Sequence, residues 1–131
     1  MNNKTHIIIH CSDSDYEHHD NVETLRKWHV EERGWRDVGY HFIITKDGEI
    51  HQGRNVLDTG AHAKGYNKKG IGICLTGKFN FSDQQFVSLD RLVFSLQVIF
   101  KIQYENILPH SAVSNKTCPN FEIWDNISKS Y

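Results

Sequence analysis

The chain lacks the features of a membrane protein or a nucleic-acid-binding protein. In its 131 residues, no apolar run approaches the roughly 20 residues that cross a bilayer. Its 15 Lys and Arg residues nearly balance 16 Asp and Glu residues, and the net charge is −1. Because no basic excess attracts polyanions, we expect no nucleic acid partner. The lack of a long apolar run likewise predicts that no segment spans a membrane.

The start of the chain also lacks the apolar region of a secretory signal peptide, since Met1-Asn2-Asn3-Lys4-Thr5 is mostly polar. The sequence therefore predicts synthesis and retention in the cytoplasm, which does not exclude later release by lysis. Internal repeats, low-complexity segments and linkers are missing, and only two prolines occur. Residues 1–131 are expected to form one monomeric domain, which is long enough to bury a hydrophobic core.

Cysteine is scarce, and three residues cannot all pair in disulfide bonds within one chain. Cys11 and Cys74 lie in apolar, strand-like surroundings, where a reduced thiol packs as a small hydrophobic group. We therefore predict that both are free, buried thiols without a catalytic role. Cys118 follows a polar loop, where the thiol is either inert or, as a thiolate, a good zinc ligand.

Strand-like patterns occur in three parts of the chain. The apolar runs at residues 7–9 and 71–76 predict buried strands. Residues 40–45 and 49–52 flank Lys46-Asp47-Gly48, which predicts a hairpin. If the first of these segments is extended from its start, Tyr40, Phe42 and Ile44 share one face.

Helix-like patterns occupy much of the remaining chain. Asp20 followed by Glu23 predicts the start of one helix, and Ser82 followed by Gln85 predicts the start of a longer one. The apolar residues of the longer helix recur at helical spacing: Phe86, Leu89, Val93, Leu96 and Phe100. A short closing helix is indicated by Phe121, Trp124 and Ile127. The sequence thus predicts an α/β (mixed α+β) domain, with a central mixed sheet flanked by helices.

Three side chains suited to a soft metal ion are scattered along the sequence. His10 ends the first predicted strand, and ligand sites in open α/β sheets gather beyond strand ends. His110 and Cys118 follow much later, in the polar run that ends at Pro119. Three protein ligands and one open position are typical of catalytic zinc. The spacing alone equally fits a histidine bonded to backbone and an inert thiol, and the zinc-protease motif His-Glu-x-x-His is absent.

Several segments in a fixed order give the sequence a family pattern. The most specific block is Trp28-His29 through Gly34-Trp35-Arg36-Asp37-Val38-Gly39-Tyr40-His41-Phe42-Ile43-Ile44. The others are Gly60-Ala61-His62-Ala63-Lys64-Gly65-Tyr66-Asn67 and residues 46–48, 53–54, 70–77 and 110–119. Together they resemble the type 2 N-acetylmuramoyl-L-alanine amidases, zinc amidases of phages and bacteria that share a fold with peptidoglycan recognition proteins. The resemblance extends from Ile7 to Trp124 and looks closest to the small phage lytic amidases.

The resemblance implies an enzyme that hydrolyses the amide bond between N-acetylmuramic acid and L-alanine in peptidoglycan. In the family pattern, zinc is bound by His10, His110 and Cys118, and catalysis is assisted by Tyr40 and Lys116. A lysine two residues before Cys118 shares its face in an extended segment. Its ammonium group would offset the thiolate charge and stabilise an oxyanion, and the Tyr40 phenol would orient water or donate to that oxyanion.

The substrate cleft is indicated by weaker patterns. In similar amidases the motifs that contain His29, His62, Lys64 and Asn67 help to line the cleft. His29 equally fits a structural role, because it flanks the apolar stripe of a predicted helix. Some phage amidases of this type also bind and restrain a phage RNA polymerase, and nothing in the sequence tests that partner.

Two other functions remain open at this point. One is a peptidoglycan-binding module that has the same fold and no activity, although such proteins generally lack the cysteine ligand. The other is a Cys-His hydrolase with Cys118 or Cys11 as the nucleophile, whose activity would survive metal chelation.

Overall fold

A mixed sheet of five strands is the centre of the computed structural model, which describes residues 4–128. The strands are β1 (His6–Cys11), β2 (Phe42–Ile44), β3 (Ile50–Gln52), β4 (Gly70–Leu75) and β5 (Ile107–Pro109), in the order β3-β2-β4-β1-β5. β1 pairs in parallel with β4 and β5, β2 pairs in parallel with β4, and the edge strand β3 is antiparallel to β2. The predicted fold class and the predicted hairpin are therefore confirmed. Residues 1–3, which form part of the segment examined for a signal peptide, lie outside the described residues.

Helices cover both faces of the sheet. α1 (Val22–Lys27) continues into a π-helical segment (Trp28–Glu32) and packs on one face, whereas the longer α2 (Asp83–Phe100) packs on the other. Short 3₁₀ turns occur at Glu17–His19, before α1, and after α2 at Tyr104–Asn106, His110–Ala112 and Ile123–Asp125. None of the helices within residues 4–128 is both long and apolar enough to cross a membrane.

The start of α2 is connected to the sheet by Gln85. The predicted capping box is confirmed, because Ser82 Oγ accepts from the Gln85 backbone N–H at 3.0 Å and Gln85 Oε1 accepts from the Ser82 N–H at 2.9 Å. The fully buried Gln85 amide also donates to the carbonyls of Ile44 at 3.0 Å and Thr76 at 2.9 Å. One side chain thus satisfies backbone groups at the helix start and near the ends of β2 and β4.

The predicted cap of α1 is wrong by one residue. Asn21, not Asp20, is the N-cap, and its side-chain oxygen accepts from the Thr24 N–H at 2.7 Å. The Asp20 carboxylate instead accepts from the Lys46 N–H at 3.0 Å and from the Thr76 hydroxyl at 2.5 Å. Tertiary hydrogen bonds to the hairpin and to the residue after β4 therefore replace the local bond that the sequence pattern suggested.

The predicted face of Tyr40 is also wrong. β2 begins only at Phe42, because the chain bends at His41. Phe42 and Ile44 pack on the α2 face, whereas Tyr40 packs with Ile43 on the α1 face. Side chains alternate between faces only where the backbone is extended, so the bend removes the basis of the prediction.

The predicted closing helix is a 3₁₀ turn at Ile123–Asp125, and its buried side chain is Ile123 instead of Trp124. Ile123 and Ile127 are buried in the core, and Phe121 packs against the same cluster. Trp124 is partly exposed, with its ring 5.0 Å from that of Tyr104.

We predict that Gln85→Ala lowers the free energy of unfolding by about 2 kcal/mol, because buried carbonyls lose their hydrogen-bond donor. Gln84→Ala is the matched control, since Gln84 is exposed in the same turn, and a change within about 0.5 kcal/mol is expected there. Urea denaturation of both variants measures the difference. Equal losses would show that Gln85 acts only through local helix propensity.

Candidate active site

The alternation of side chains along β1 places His10 on the α1 face of the sheet. Ile7 and Ile9 pack into the core on the α2 face, so His10 points to the opposite side. His10 lies beside Cys74 in the parallel register of β1 and β4. On the other side Ile9 pairs with Pro109, which brings the next residue, His110, alongside His10. The site therefore lies at the carboxyl ends of adjacent parallel strands, as predicted.

His10, His110 and Cys118 converge, and one donor atom from each lies within 4.8 Å of the others. The His10 and His110 rings are 4.3 Å apart between centroids. Tetrahedral zinc with bonds of about 2.0 to 2.3 Å separates its donors by roughly 3.5 Å, so small side-chain movements bring these atoms to bonding positions. Two imidazoles and a thiol also have the donor chemistry that zinc prefers.

Backbone hydrogen bonds hold Cys118 against β1 and against the turn that contains His110. The Cys11 backbone N–H donates to Cys118 Sγ at 2.8 Å, and the Ser111 N–H donates to the Cys118 carbonyl at 2.9 Å. A hydrogen bond to the Cys11 side chain and burial raise the pKa of the Cys118 thiol above its ordinary value, and the Cys11 amide opposes this shift only in part. Metal binding would therefore displace the thiol proton. Cys11 and Cys74 are buried, and all three cysteines are free thiols.

Burial keeps the site imidazoles neutral, as metal binding requires. Burial, together with His62 and His110 nearby, holds the pKa of His10 well below its ordinary value. Burial and the Lys116 ammonium lower the pKa of His110.

Tyr40 and Lys116 both line the cleft that contains the three converging donors. The Tyr40 ring lies 5.1 Å from the His10 ring and 5.4 Å from the His29 ring. Burial, followed by the proximity of Cys74, raises the pKa of Tyr40 well above its ordinary value, so its phenol stays a hydrogen-bond donor. Lys116 is exposed on the loop before Cys118 and lines the same cleft.

Among the predicted cleft residues, three have polar atoms that bond to the protein itself. His29 is buried, and its Nδ1 accepts from the Gly39 N–H at 2.8 Å, next to Tyr40. Asn67 Oδ1 accepts from the backbone N–H groups of His62 at 2.7 Å and Ala63 at 2.8 Å. His62 Nδ1 lies 2.9 Å from His10 Nε2. Lys64, by contrast, is exposed at the cleft edge.

The open cleft around these residues has a volume of about 560 Å³, which is ordinary for a ligand site. Its walls also contain residues that the sequence did not suggest: Asp13, Glu32, Arg33 and Thr117. Exposed charges at the end of a helix usually only face solvent, so sequence reasoning had no signal for Glu32 and Arg33. Arg54 lay within a recognised motif, and the fold explains it, because its guanidinium donates to the carbonyls of Val38 at 2.9 Å and Thr59 at 3.0 Å.

The chain is similar to known proteins in both sequence and structure. Residues 1–121 match the family model described as N-acetylmuramoyl-L-alanine amidase. The endolysin of Enterobacteria phage T3 is 42% identical over 125 residues, which cover 89% of this chain and 81% of the endolysin. The endolysin of Escherichia phage T7 is 41% identical with the same coverage. Among solved structures, the N-acetylmuramoyl-L-alanine amidase LysC from Clostridium intestinale has a TM-score of 0.85 at 31% identity, covering 97% of this chain and 88% of that one.

Fold, cleft and relatives together define a hydrolase of the bacterial cell wall. The chain belongs to the N-acetylmuramoyl-L-alanine amidase family and is a lytic amidase that degrades peptidoglycan. The predicted family, fold class and enzymatic activity are thereby confirmed, and the alternative of a binding module without activity is not supported.

Proposed function

We propose that this amidase depends on zinc held by His10, His110 and Cys118, and that it cuts the bond between N-acetylmuramic acid and L-alanine. The observation that supports the metal site is the convergence of two imidazoles and one thiol within 4.8 Å at the bottom of an open cleft. Three protein ligands leave one coordination position for water or substrate, as catalysis requires.

A zinc ion held by His10, His110 and Cys118 would supply Lewis acidity for the scissile carbonyl and for a water nucleophile near neutral pH. Attack on the amide carbonyl turns its oxygen into an oxyanion, which needs donors already in position. The protonated Tyr40 phenol donates a hydrogen bond from the wall beside His10. The Lys116 ammonium supplies positive charge beside His110 and offsets the negative charge of a Cys118 thiolate.

The substrate lies in the cleft that extends from these residues. Lys64 contacts the substrate through its exposed ammonium, whereas His29, His62 and Asn67 shape the cleft wall through the bonds described above. One relative of similar fold, Drosophila PGRP-LB, has been solved as a mutant in complex with tracheal cytotoxin, with a TM-score of 0.82 and 27% identity. We propose that a fragment of peptidoglycan occupies the cleft of this chain.

The relatives described above include endolysins of phages T3 and T7. We propose that this chain likewise acts on the cell wall after release from the cell in which it is made.

We predict one zinc ion per chain, with stoichiometric loss in Cys118→Ser because a neutral hydroxyl is a poor replacement for the thiolate. Elemental analysis of purified protein is the measurement. Cys74→Ser is the matched control, since Cys74 lies under Tyr40 on the same face of the sheet without being one of the three converging donors. Equal zinc content in Cys118→Ser and the parent would remove Cys118 from the site.

We predict that Tyr40→Phe and Lys116→Ala retain zinc and fold but hydrolyse peptidoglycan on the order of 10² to 10³ times more slowly, because each loses one oxyanion partner. Turnover at saturating substrate is measured beside zinc content. A variant with the parent's rate would contradict that residue's role, and a variant that loses zinc would assign the residue to the metal site instead.

We predict that digestion of purified peptidoglycan releases new L-alanine amino termini, leaves the glycan strands intact and stops on chelation. Labelling of amino termini and an assay of reducing sugars in the same digest measure both products. New reducing ends would indicate a glycosidase, which requires a suitably spaced pair of carboxylates. Activity that persists after complete chelation would favour the Cys-His hydrolase.

A further inference from the structure

His62 uses both of its ring nitrogens within the protein, at the back of the proposed metal site. Its Nδ1 lies 2.9 Å from His10 Nε2, and its Nε2 lies 3.2 Å from the Gly70 carbonyl oxygen. The rings of His10 and His62 meet edge to face, with centroids 5.0 Å apart. His62 is therefore directly connected to a proposed metal ligand.

Only one distribution of protons satisfies both contacts. A carbonyl oxygen only accepts, so His62 Nε2 must hold a proton and donate it to Gly70. The two partners of the ring are a carbonyl and an imidazole, and neither is a carboxylate that would stabilise a second proton, so the ring has the single proton of a neutral imidazole. Its Nδ1 must then accept the hydrogen bond from His10 Nε2–H. The opposite distribution would bring two lone pairs together at Gly70.

We propose that His62 is a positioning residue of the metal centre, which fixes the tautomer of His10 and directs His10 Nδ1 at the metal. This inference rests on the proposed zinc site. A ligating histidine commonly donates its second N–H to a carboxylate, a carbonyl or water. Here the acceptor is a second imidazole, whose own tautomer is fixed by a strand carbonyl.

The surrounding structure holds the His62 ring in the required orientation. Gly72 leaves room for it, since a Cβ atom at that position would lie 2.7 Å from His62 Cγ. Asn67 Oδ1 accepts from the His62 backbone N–H at 2.7 Å. His41, whose ring lies 5.6 Å away, bonds through Nε2 to the Asp58 carbonyl and through Nδ1 to the Gly72 N–H, so its nitrogens do not compete for His10.

Removal of the acceptor should weaken metal binding without removing a ligand. His10 Nε2–H would lose its partner, and the ring could rotate or adopt the other tautomer. Loss of such a supporting partner typically reduces metal affinity about 10- to 100-fold. A role confined to substrate binding would leave the affinity for metal unchanged.

The first test identifies the coordinating atom directly. The chain is labelled with ¹⁵N at histidine and loaded with ¹¹³Cd²⁺ in place of zinc, and NMR records which ring nitrogens couple to the metal. We expect coupling at His10 Nδ1 and a protonated His10 Nε2. Coupling at His10 Nε2 would overturn the inference while leaving the metal site intact. Failure of Cd²⁺ and Zn²⁺ to bind the unaltered chain would instead contradict the proposed function.

The second test uses variants that separate the two nitrogens. The side-chain oxygen of His62→Asn can occupy the position of Nδ1 and accept from His10, whereas His62→Phe keeps a ring without any acceptor. We expect zinc affinity, measured by competition with a chelator, to fall 10- to 100-fold in His62→Phe and to be largely retained in His62→Asn. His51→Phe is the control, because His51 lies in the edge strand β3. This variant should bind zinc with the affinity of the parent.

Thermal unfolding of the metal-free variants separates positioning from general stability. The inference would be overturned if zinc affinity fell in proportion to melting temperature, and to the same extent in His62→Asn and His62→Phe. Parental zinc affinity in His62→Phe would also overturn it. If His62→Phe does not fold, the labelling experiment on the unaltered chain still decides the matter.

Discussion

The parallel pairing of β1 with both of its neighbours is the constraint on which the site depends. β1 is only six residues long, yet it places isoleucines in the core on one face and His10 on the other. A slip of one residue would exchange these faces, burying the imidazole in the apolar core against α2. Because the same register brings Cys74 and His110 to either side of His10, the position of the candidate metal centre follows from backbone hydrogen bonding.

The elements predicted correctly were those with a strong local signal. The apolar run of β1, the capping box of α2 and the hairpin turn each depend on residues close together in sequence. Asp20 and Tyr40 were misplaced for the opposite reason. Asp20 bonds to Lys46 and Thr76, and the face of Tyr40 depends on a bend at His41. Neither distant partners nor such a bend can be inferred from alternation or from capping patterns.

The residues that converge in the cleft were predicted better than the hydrogen bonds that hold them in place. Family motifs indicated the three metal-binding candidates, Tyr40 and Lys116, and the structure brings all five to one cleft. Spacing could not reveal that the Cys11 amide bonds to Cys118 Sγ, or that Asn67 holds the backbone of His62. These contacts join segments whose proximity appears only in the folded chain.

The contact between Cys11 and Cys118 spans 107 residues. Chains are made from the amino terminus at about 5 to 20 residues per second, so the first strand exists for several seconds before Cys118 is added. During that time His10 is present in the growing chain, but the other two candidate ligands, His110 and Cys118, have not yet been added. Contacts between residues this far apart also slow folding, since loop closure costs entropy. The candidate metal centre therefore cannot be assembled before Cys118 has been added to the growing chain.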